Sequence, residues 1–396
     1  MSTPTDPPTG PPSGPTDHPS PAGSNGDAEQ RESLPKPMFE TGTEWLRTDG
    51  KDSDVVLSSR VRLARNLAGQ PFVHKSSEAD LRHVLTVCRG AIEEASLGEK
   101  VVWVELHETP AMDRSLLLER HLVSGQLAKG KLGSKRKSAD WPRAVAFGLP
   151  GERAAVMVNE EDHLRLQVMR SGLGLHEAWT EADAIDDQIE AGVDYAFSPR
   201  LGYLTACPTN VGTGVRFSVM LHLPGLRMVG EIDKVKRAAA DMSLAVRGFY
   251  GEGSEASGDF YQLSNQTTLG KSEQQLLEEL GERIVPEVIE YERQSRQTLV
   301  QKRRWQLEDA VYRAFGVLRH ARLLRTEESM QLLSVLRLGV AMEIVQEVTT
   351  EDLHRLMLLM QPAHLQRVAG REMTQAERRR ERAKIVRDRL GGDRLG

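Results

Sequence analysis

The strand-like segments of this chain are short, and turns join several of them. They are rich in β-branched residues and occur at Val101–Leu106, Ala144–Phe147, Ala154–Val158 and Phe217–Leu223. Helical periods lie between them, at Ser77–Glu94, Arg114–Leu127, Thr180–Glu190 and Ile232–Arg247. Because glycine-rich or charged turns, and not regular crossover helices, separate several strands, a doubly wound sheet is disfavoured. The spacing predicts an α+β fold, in which helices flank a mainly antiparallel sheet.

The pattern changes near Ser272, after which only helical periods occur. Ser272–Gln275 is a capping-box pattern that opens a long helix, and Thr349–Asp352 is a second candidate of the same kind. We expect about five or six helices between Ser272 and the C-terminus. The change predicts a mixed α+β domain at 38–285 and an all-α domain at 286–396.

The first 37 residues hold ten of the nineteen prolines and almost no large apolar residue. Such a segment cannot bury enough surface to offset the conformational entropy that ordering would remove. We therefore predict a disordered tail, rich in proline, glycine and serine, at 1–37.

Charge and cysteine content exclude several classes of protein. The formal net charge of -5 argues against bulk electrostatic binding of nucleic acid or an anionic membrane. No apolar run approaches the roughly 20 residues that span a bilayer, and the N-terminus lacks a signal-peptide pattern. Two cysteines are too few for a disulfide framework or a cysteine metal site. The composition predicts a cytoplasmic protein with no nucleic-acid partner, no membrane partner and no resident metal.

The familiar nucleotide-binding motifs are absent. Gly270-Lys-Ser272 looks like the end of a Walker A loop, but Asn265 stands where that loop needs its first glycine. Gly251–Gly258 does not fit G-x-G-x-x-G, and the chain holds neither H-R-D nor D-F-G. By these motifs alone, the chain is not a nucleotide enzyme.

Two arginines, Arg60 and Arg62, follow the strand-like Asp54–Leu57. In an extended segment residues i and i+2 point the same way, so both guanidinium groups face one side. Arginine forks match phosphate oxygens in pairs. An anion site is one interpretation of this pair, and a solvated basic edge strand is the other.

Three carboxylates, a histidine and an arginine crowd into Asn159–Arg165, directly after the strand-like Ala154–Val158. Catalytic side chains often stand at such strand ends, on loops that a rigid sheet holds in place. The alternative is an ordinary helix start, where acidic residues complement the helix dipole.

One of the two cysteines opens the stretch Cys207–Phe217, written CPTNVGTGVRF. Pro208 and Gly212–Gly214 predict a tight turn, and Arg216 begins a strand. Neighbouring cations favour the reactive thiolate form of a cysteine. A buried, inert cysteine beside a structural turn is the alternative.

A glycine-rich loop, Val246–Glu255, carries one arginine and two carboxylates. Its glycines suit a lid, or a loop whose backbone approaches a ligand, and a disordered loop tip is the alternative. Together the four segments supply five arginines, several carboxylates and a thiol. Such a set can neutralise a polyphosphate without a P-loop and still hold a cationic acceptor.

These segments resemble the successive signatures of the ATP:guanidino phosphotransferases, the family of arginine and creatine kinases. The resemblance is carried in order, over about residues 40–275, by SSRVRLARN, NEEDHLR, CPTNVGTGVR and VRGFYGEGSEASGDFYQLSNQTTLG. GEGSEA, SNQTTLGKSE and the helical C-terminal domain are similar to the bacterial protein-arginine kinase branch. The resemblance implies a guanidino-kinase catalytic domain at 38–285 that uses ATP and Mg²⁺.

The resemblance also implies the site residues. Glu161, with Glu252 or Glu255, would clamp the acceptor guanidinium and take its proton, and the thiol of Cys207 would hold its other end. His121 would lie on the adenine side. The residues expected to bind ATP are Ser58, Ser59, Arg60, Val61, Arg62, His121, Arg165, Arg216, Phe217, Ser218, Val219, Met220, Arg247, Gly248, Phe249, Tyr250, Gly251 and Glu252.

In the protein-arginine kinase branch, the helical domain carries a regulatory phosphoarginine pocket with the pattern Arg-Asp-x-x-Arg-Ala, which implies a corresponding pocket here. The corresponding residues are Arg378, Arg379, Arg382 and Ala383. Arg379 stands where the family has the aspartate that suits a guanidinium, although the other two arginines could still hold a phosphate. A basic, solvated helix is the alternative.

Metabolite kinases of the family carry a folded helical domain ahead of the SSRVR-type strand, where this chain has its proline-rich tail and a short ordered segment. An open acceptor site suits a protein side chain, so the leading hypothesis is a protein-arginine kinase that marks proteins for Clp-type proteolysis in a stress response. The implied partners are arginine-bearing proteins, an activator protein, a Clp ATPase and a second copy in a homodimer. A kinase of free arginine or another small guanidine, and a non-catalytic adaptor, remain as alternatives.

Overall fold

Eight strands form one sheet in the computed structural model of this protein. They are β1 (Val56–Arg65), β2 (Lys100–Glu105), β3 (Ala144–Leu149), β4 (Ala154–Val158), β5 (Leu164–Ser171), β6 (Val215–His222), β7 (Leu244–Gly248) and β8 (Phe260–Asn265). Their order across the sheet is β7-β8-β6-β1-β5-β4-β3-β2, and every neighbouring pair is antiparallel. The predicted α+β fold with a mainly antiparallel sheet is confirmed.

The structure describes residues 34, 42–132, 136–137, 141–248 and 257–391. Most of the predicted tail at 1–37 lies outside these residues. So do the predictions for Phe249, Tyr250, Gly251, Glu252 and Glu255 of the glycine-rich loop. The sheet and its helices belong to the unit Pro35–Gly396.

Helices accompany the sheet along the whole chain. The earlier ones are α1 (Glu78–Glu94), α2 (Ala111–Glu119), α3 (Gly125–Lys129), α4 (Leu175–Glu190), α5 (Pro224–Val229) and α6 (Ile232–Asp241). The later ones are α7 (Glu273–Leu277), a π-helical segment (Glu278–Ile284), α8 (Val285–Lys302), α9 (Arg304–His320), α10 (Thr326–Ala341), α11 (Thr350–Leu359), α12 (Pro362–Ala369) and α13 (Gln375–Arg389).

Shorter elements complete the description. Turns of 3₁₀ helix lie at Glu44–Leu46, Val73–Lys75, Pro208–Asn210 and Ser257–Asp259. Two-residue strands pair Lys131–Leu132 with Arg136–Lys137, and Phe197–Ser198 with Gly202–Tyr203. Within the described part of the chain, no helix combines the length and the apolar character that crossing a membrane requires.

Both predicted capping boxes are present. The hydroxyl of Ser272 accepts the backbone N–H of Gln275, and that of Thr349 accepts the N–H of Asp352. The run from α7 through the π-helical segment to α8 has no break. Counted as one helix, it makes six helical segments among the described residues after Ser272, as the periodicity predicts.

Two helix predictions were wrong in extent. The period at Arg114–Leu127 is split into α2 and α3, because His121 takes a φ of 61° and turns the chain out of the helix. The period that starts at Ile232 ends with α6, since Ser243 also has a positive φ and the following residues pair with β8 as the edge strand β7.

The two faces of the sheet have different partners. On one face, alternate strand residues such as Val61, Val168 and Val219 pack in a core with α1 and α4. On the other face, Leu57 and Met220 pack with the N-terminal segment around Trp45 and with the C-terminal helices. This second face is only partly covered, and the candidate site lies on it.

Candidate active site

A cavity of about 690 Å³ lies on the second face of the sheet. Side chains alternate along a strand, so every second residue of β1, β5 and β6 points into it. These floor residues are Ser58, Arg60 and Arg62 on β1, Arg165, Gln167 and Met169 on β5, and Arg216, Ser218 and Met220 on β6. Because β1 is a central strand, the arginine pair on it is not a solvated edge.

The intervening residues of the same strands lie away from the cavity. Val61, Phe217 and Val219 are buried in the core with α1 and α4. The hydroxyl of Ser59 donates to a backbone carbonyl in the turn after β5, at 2.8 Å, and Gly248 is buried at the end of β7. These five predicted ATP-binding residues do not line the cavity, because the predicted runs are contiguous whereas a strand alternates.

Five arginines converge on the cavity, namely Arg60, Arg62, Arg165, Arg216 and Arg247. Arg62 lies directly opposite Arg216 in the β1–β6 ladder, and like charges so placed destabilise a sheet. Burial, followed by Arg165, Arg216 and Arg247, lowers the pKa of Arg60 to about 10. Burial and the neighbouring arginines also lower the pKa of Arg62. Among the described lining residues, positive charge therefore exceeds the negative charge of the two carboxylates, Glu160 and Glu161.

The guanidinium of Arg62 lies at the floor of the cavity. Its Nε and Nη2 atoms are buried and make no hydrogen bond to any residue that the structure describes. Nη2 of Arg60, by contrast, donates to Oε1 of Gln262 at 2.9 Å. Buried donors are nearly always paired in native proteins, and guanidinium N–H groups match phosphate oxygens. These donors therefore fit the phosphates of a nucleotide.

Glu160 and Glu161 lie in the turn between β4 and β5 and line the cavity. Oε2 of Glu160 is 2.8 Å from Nη1 of Arg165, and its Oε1 accepts the Ser124 hydroxyl at 2.6 Å. Burial by itself raises the pKa of Glu160, but Arg165, Ser124, the backbone N–H of Glu161 and Arg62 together outweigh burial and lower it. Glu161 is 3.7 Å from Arg165, and its side chain is 43% exposed. Glu160 thus holds Arg165, whereas Glu161 reaches the open cavity.

A buried network fixes this turn against the cysteine loop. Oδ1 of Asp162 accepts Nδ2 of Asn66 at 2.7 Å and the backbone N–H of Ala206 at 2.6 Å. His163 is buried beside it and accepts a backbone N–H through Nδ1. Because Ala206 directly precedes Cys207, Asp162 ties the thiol loop to the carboxylate turn.

Cys207 is a free, partly exposed thiol that lines the cavity. Its Sγ lies 3.0 Å from Oγ1 of Thr209. The hydroxyl of Thr268 donates to the backbone carbonyls of Thr209 at 3.1 Å and Val211 at 2.7 Å. The thiol loop is therefore anchored to the segment after β8, and its cysteine is accessible and not an inert core residue.

His121 lines the cavity from the turn between α2 and α3. Its carbonyl accepts Nε2 of Gln167 at 2.6 Å, and its ring meets Trp45 edge to face at a centroid distance of 4.6 Å. Burial, followed by Arg60, lowers the pKa of His121 to about 3, so the imidazole is neutral at pH 7. The pair presents an uncharged aromatic surface that suits a nucleotide base.

Several lining residues are missed by the sequence analysis, namely Trp45, Ser124, Lys129, Glu160, Gln167 and Gln262. Gln167 had a usable signal, because it stands two residues after Arg165 on one strand. Glu160 lies in the predicted carboxylate motif, but its role depends on the cation that it faces in the fold, Arg165. Trp45, Lys129 and Gln262 carry no local signal, since only the fold brings them to the cavity.

The residues of the predicted phosphoarginine pocket lie on α13. Arg382 is buried and donates to two backbone carbonyls, each at 2.8 Å, and Ala383 is buried in the adjoining core. Nη1 of Arg378 donates to another backbone carbonyl at 2.6 Å, whereas Arg379 is partly exposed. Arg382 and Ala383 therefore hold α13 against its neighbours.

Among the described residues, one group of three could hold a metal ion, Glu105, His107 and Glu108. It follows the edge strand β2, and none of the three lines the cavity. The described lining residues include two carboxylates, Glu160 and Glu161, and Glu160 is already paired with an arginine. The described lining residues therefore offer a cation few ligands of their own.

Comparison with known families gives two matches that together cover most of the chain. Residues 83–295 match the family described as ATP:guanido phosphotransferase, C-terminal catalytic domain. Residues 304–394 match the protein-arginine kinase McsB C-terminal domain. A protein-arginine kinase from Symbiobacterium thermophilum is 45% identical over 349 residues, 87% of this chain and 96% of the relative. One from Moorella thermoacetica is 44% identical over 357 residues, 89% and 99% of the two chains.

Solved structures share the fold of the catalytic part. The duplicated taurocyamine kinase from Schistosoma mansoni, with bound transition state analog components, has a TM-score of 0.53 and 27% identity over 65% of this chain. The match covers 36% of that longer chain. Lombricine kinase has a TM-score of 0.51 and 25% identity, over 66% of this chain and 72% of that one.

Fold and cavity together define the class, a kinase that acts on guanidinium groups. Relatives that match this chain over most of its length narrow the class further. The chain belongs to the ATP:guanido phosphotransferase family, and within it to the protein-arginine kinases. It is an enzyme that phosphorylates arginine.

Proposed function

We propose that the cavity binds Mg·ATP and one arginine side chain of a protein, and that the residues around it transfer the γ-phosphoryl group between them. The observation that carries this proposal is the guanidinium of Arg62, whose buried N–H groups lack partners in the described part of the chain. The same cavity presents Glu161 and Cys207. A bound phosphate would accept hydrogen bonds from the N–H groups of Arg62. An acceptor guanidinium would fit against Glu161 and Cys207.

The arginines hold the triphosphate. Arg60 and Arg165 are fixed before ATP binds, by Gln262 and Glu160 respectively, so they need little reorganisation when charge develops on the transferring group. Mg²⁺ enters with the nucleotide as part of the substrate and neutralises part of the phosphate charge. His121 and Trp45 receive the base on their aromatic surface.

Glu161 and Cys207 orient the acceptor. A guanidinium has a pKa of about 12.5 or more, so its nitrogen is a poor nucleophile until a proton leaves. Glu161 pairs with the guanidinium and takes that proton, while Cys207 contacts the other end. As the nitrogen bonds to the γ-phosphorus, the bond to the bridging oxygen breaks and ADP leaves with its electron pair. Glu252 or Glu255 supplies the second carboxylate.

The biological role proposed for this reaction is to mark proteins for a Clp-type protease in the cytoplasm. The support for it is the match of the helical part to the C-terminal domain of a protein-arginine kinase. An activator protein, a Clp ATPase and a homodimer belong to the same proposal. Regulation by phosphoarginine is part of the same proposal, with Arg378 and Arg382 on α13 holding the phosphate in place of the backbone carbonyls to which they donate.

An assay with Mg·ATP and two acceptors, casein and free arginine, tests the function. Phosphoarginine is mapped by mass spectrometry without acid, since the N–P bond is acid-labile. We expect the product on casein, and a loss in kcat of roughly 10²-fold or more in Glu161→Gln, with ATP affinity retained. Glu93→Gln, on the exposed surface of α1, is the matched control and should keep full activity.

The outcomes separate the alternatives. Product on free arginine alone would assign the enzyme to the kinases of small guanidines. ATP binding without product on either acceptor would contradict the proposed transfer. Of Glu252→Gln and Glu255→Gln, only the variant that removes the second clamp should lower kcat as far as Glu161→Gln does.

A further inference from the structure

Three large apolar side chains stand exposed beside the cysteine loop. Phe197 is 57% exposed, Leu201 43% and Leu269 56%. We refer to these three residues as the apolar rim. Exposed apolar side chains that cluster next to a functional site mark an interaction surface more often than isolated ones do. None of the three has a role in the transfer described above.

Close backbone packing joins the members of the rim. Phe197 and Leu201 belong to the hairpin that ends at Gly202–Tyr203. Gly202 lies against Gly212, since a Cβ on Gly202 would be 2.8 Å from the Cα of Gly212. A Cβ on Gly212 would in turn be 2.9 Å from the Cα of Leu269. The backbones of the hairpin, the cysteine loop and Leu269 therefore adjoin one another.

The hairpin is rigid enough to present this surface. The ring of Tyr203 has the Arg65 guanidinium over one face, 3.5 Å from its centroid, and Arg65 is paired with the buried Asp186 at 2.7 Å. The ring of Phe197 packs edge to face on Tyr203 at a centroid distance of 5.4 Å. Phe197 is thus supported from behind while more than half of it remains exposed.

The rim adjoins the acceptor end of the cavity. Thr268, next to Leu269 in the chain, donates its hydroxyl to the carbonyl of Thr209 at 3.1 Å. Thr209 lines the cavity together with Cys207, and the two side chains are in contact. A polypeptide whose arginine enters between Glu161 and Cys207 would therefore lie against this loop, next to the segment that carries Leu269.

We infer that the apolar rim is a subsite for an apolar side chain of the acceptor protein, close in sequence to the target arginine. This inference rests on the proposed function, because only a protein acceptor has such a neighbour. In an extended segment, residues i and i±2 point the same way and lie about 7 Å apart. The side chain two positions from the arginine therefore faces the rim. The enzyme prefers arginines that have a leucine or a similar residue at that distance.

Two labelled peptides test the inference, Gly-X-Gly-Arg-Gly-X-Gly with X as leucine or as serine. Their Kd is measured by fluorescence anisotropy with the whole enzyme, Mg²⁺ and a non-hydrolysable ATP analogue, and casein phosphorylation is assayed in parallel. We expect the leucine peptide to bind about fivefold more tightly or better. The double variant Leu201→Ser/Leu269→Ser should remove this preference and leave the Kd of the serine peptide unchanged.

The matched control is Trp305→Ser, which removes another exposed apolar side chain, 81% exposed at the start of α9. It should keep the preference for the leucine peptide. Equal affinity of the unmodified enzyme for both peptides, with casein still phosphorylated, would overturn the subsite and leave the proposed function standing. Failure to phosphorylate casein would overturn both. If the double variant changed the oligomeric state in sedimentation, the rim would be a contact between two copies, and the inference would be wrong.

Discussion

At the scale of single residues, Arg62 and Arg65 show how position decides what a buried arginine does. Both stand on β1. Arg65 is paired with Asp186 and donates to two backbone carbonyls, whereas two nitrogens of Arg62 have no partner among the described residues. Burial and the neighbouring arginines already lower the pKa of Arg62. Arg65 therefore stabilises the fold, whereas Arg62 is available to bind a ligand.

We therefore expect opposite effects from the same substitution on one strand. Arg62→Met removes a buried charge that is crowded by other arginines and should raise the free energy of unfolding of the ligand-free enzyme by about 1 kcal/mol, while it weakens ATP binding by about tenfold or more. Arg65→Met leaves Asp186 buried without its cation, with the Tyr195 hydroxyl as a remaining donor, so it should lower that free energy by about 3–5 kcal/mol. Urea denaturation and calorimetric titration with Mg·ATP measure both effects. A destabilised Arg62→Met variant would contradict this assignment.

At the scale of elements, the helices α9 and α10 meet at a glycine. A Cβ on Gly339 of α10 would meet Cγ2 of Val311 on α9 at 3.1 Å, and Cγ1 closer still. Val311 is fully buried and β-branched, so it has little freedom to give way. Gly316 on α9 has open space around the same position. Gly339 is thus needed for close helix packing, whereas Gly316 is not.

The two glycines give a matched pair of variants. Gly339→Ala should lower the free energy of unfolding by about 1–2 kcal/mol, because overpacking outweighs the better helix propensity of alanine. Gly316→Ala should raise it by up to about 1 kcal/mol, since only the propensity changes. Thermal or urea denaturation compares the two. Equal effects of the two changes would mean that packing at Gly339 is looser than the structure has it.

At the scale of the whole molecule, Arg337 joins the C-terminal helices to the sheet. Its Nη1 meets Nδ1 of His222 on β6 at 2.7 Å, and its Nε donates to Nε2 of His354 on α11 at 3.0 Å. It also donates to the carbonyls of Ser53 and Asp54, just before β1. His354 in turn bonds the carbonyl of the residue after Trp45. The helices thus support the segment that lines the cavity.

Because His354 is buried at this junction, we expect the protein to lose stability in acid. Burial, followed by Arg337, lowers the pKa of His354 from 6.5 to about 3. Between those values the unfolded chain binds a proton that the folded chain does not, so stability rises with pH and falls on acidification. From pH 7 to pH 5 His354 alone should remove about 2 kcal/mol of the free energy of unfolding.

Urea denaturation at the two pH values measures this effect. His354→Gln should reduce the loss of stability between pH 7 and pH 5 by about 2 kcal/mol, the amount expected from this one histidine. Ser334→Ala, which removes the hydroxyl beside His222 and keeps both imidazoles, is the control and should show the full loss. An unchanged pH dependence in His354→Gln would show that the imidazole is not buried in its neutral form.

Features that depend on neighbours in the chain can be predicted from the amino-acid sequence. Strand segments such as Ala154–Val158, the capping boxes at Ser272 and Thr349, and the shared face of Arg60 and Arg62 all follow from local geometry and periodicity. The resemblance then gave the family, because its motifs are contiguous. Local hydrogen bonds and the alternation of side chains are enough to fix such features.

Which of these residues meet depends on the folded chain and could not be predicted from local patterns. The turn at His121 and the strand β7 replace predicted helix because the rest of the fold gives these segments better partners. Trp45 and Gln262 reach the cavity from elements far apart in sequence. The two glutamates of one motif have different roles, because Glu160 is paired with Arg165 and accepts a hydrogen bond from Ser124. Burial and long-range pairing set these outcomes, and neither is encoded in a short stretch of sequence.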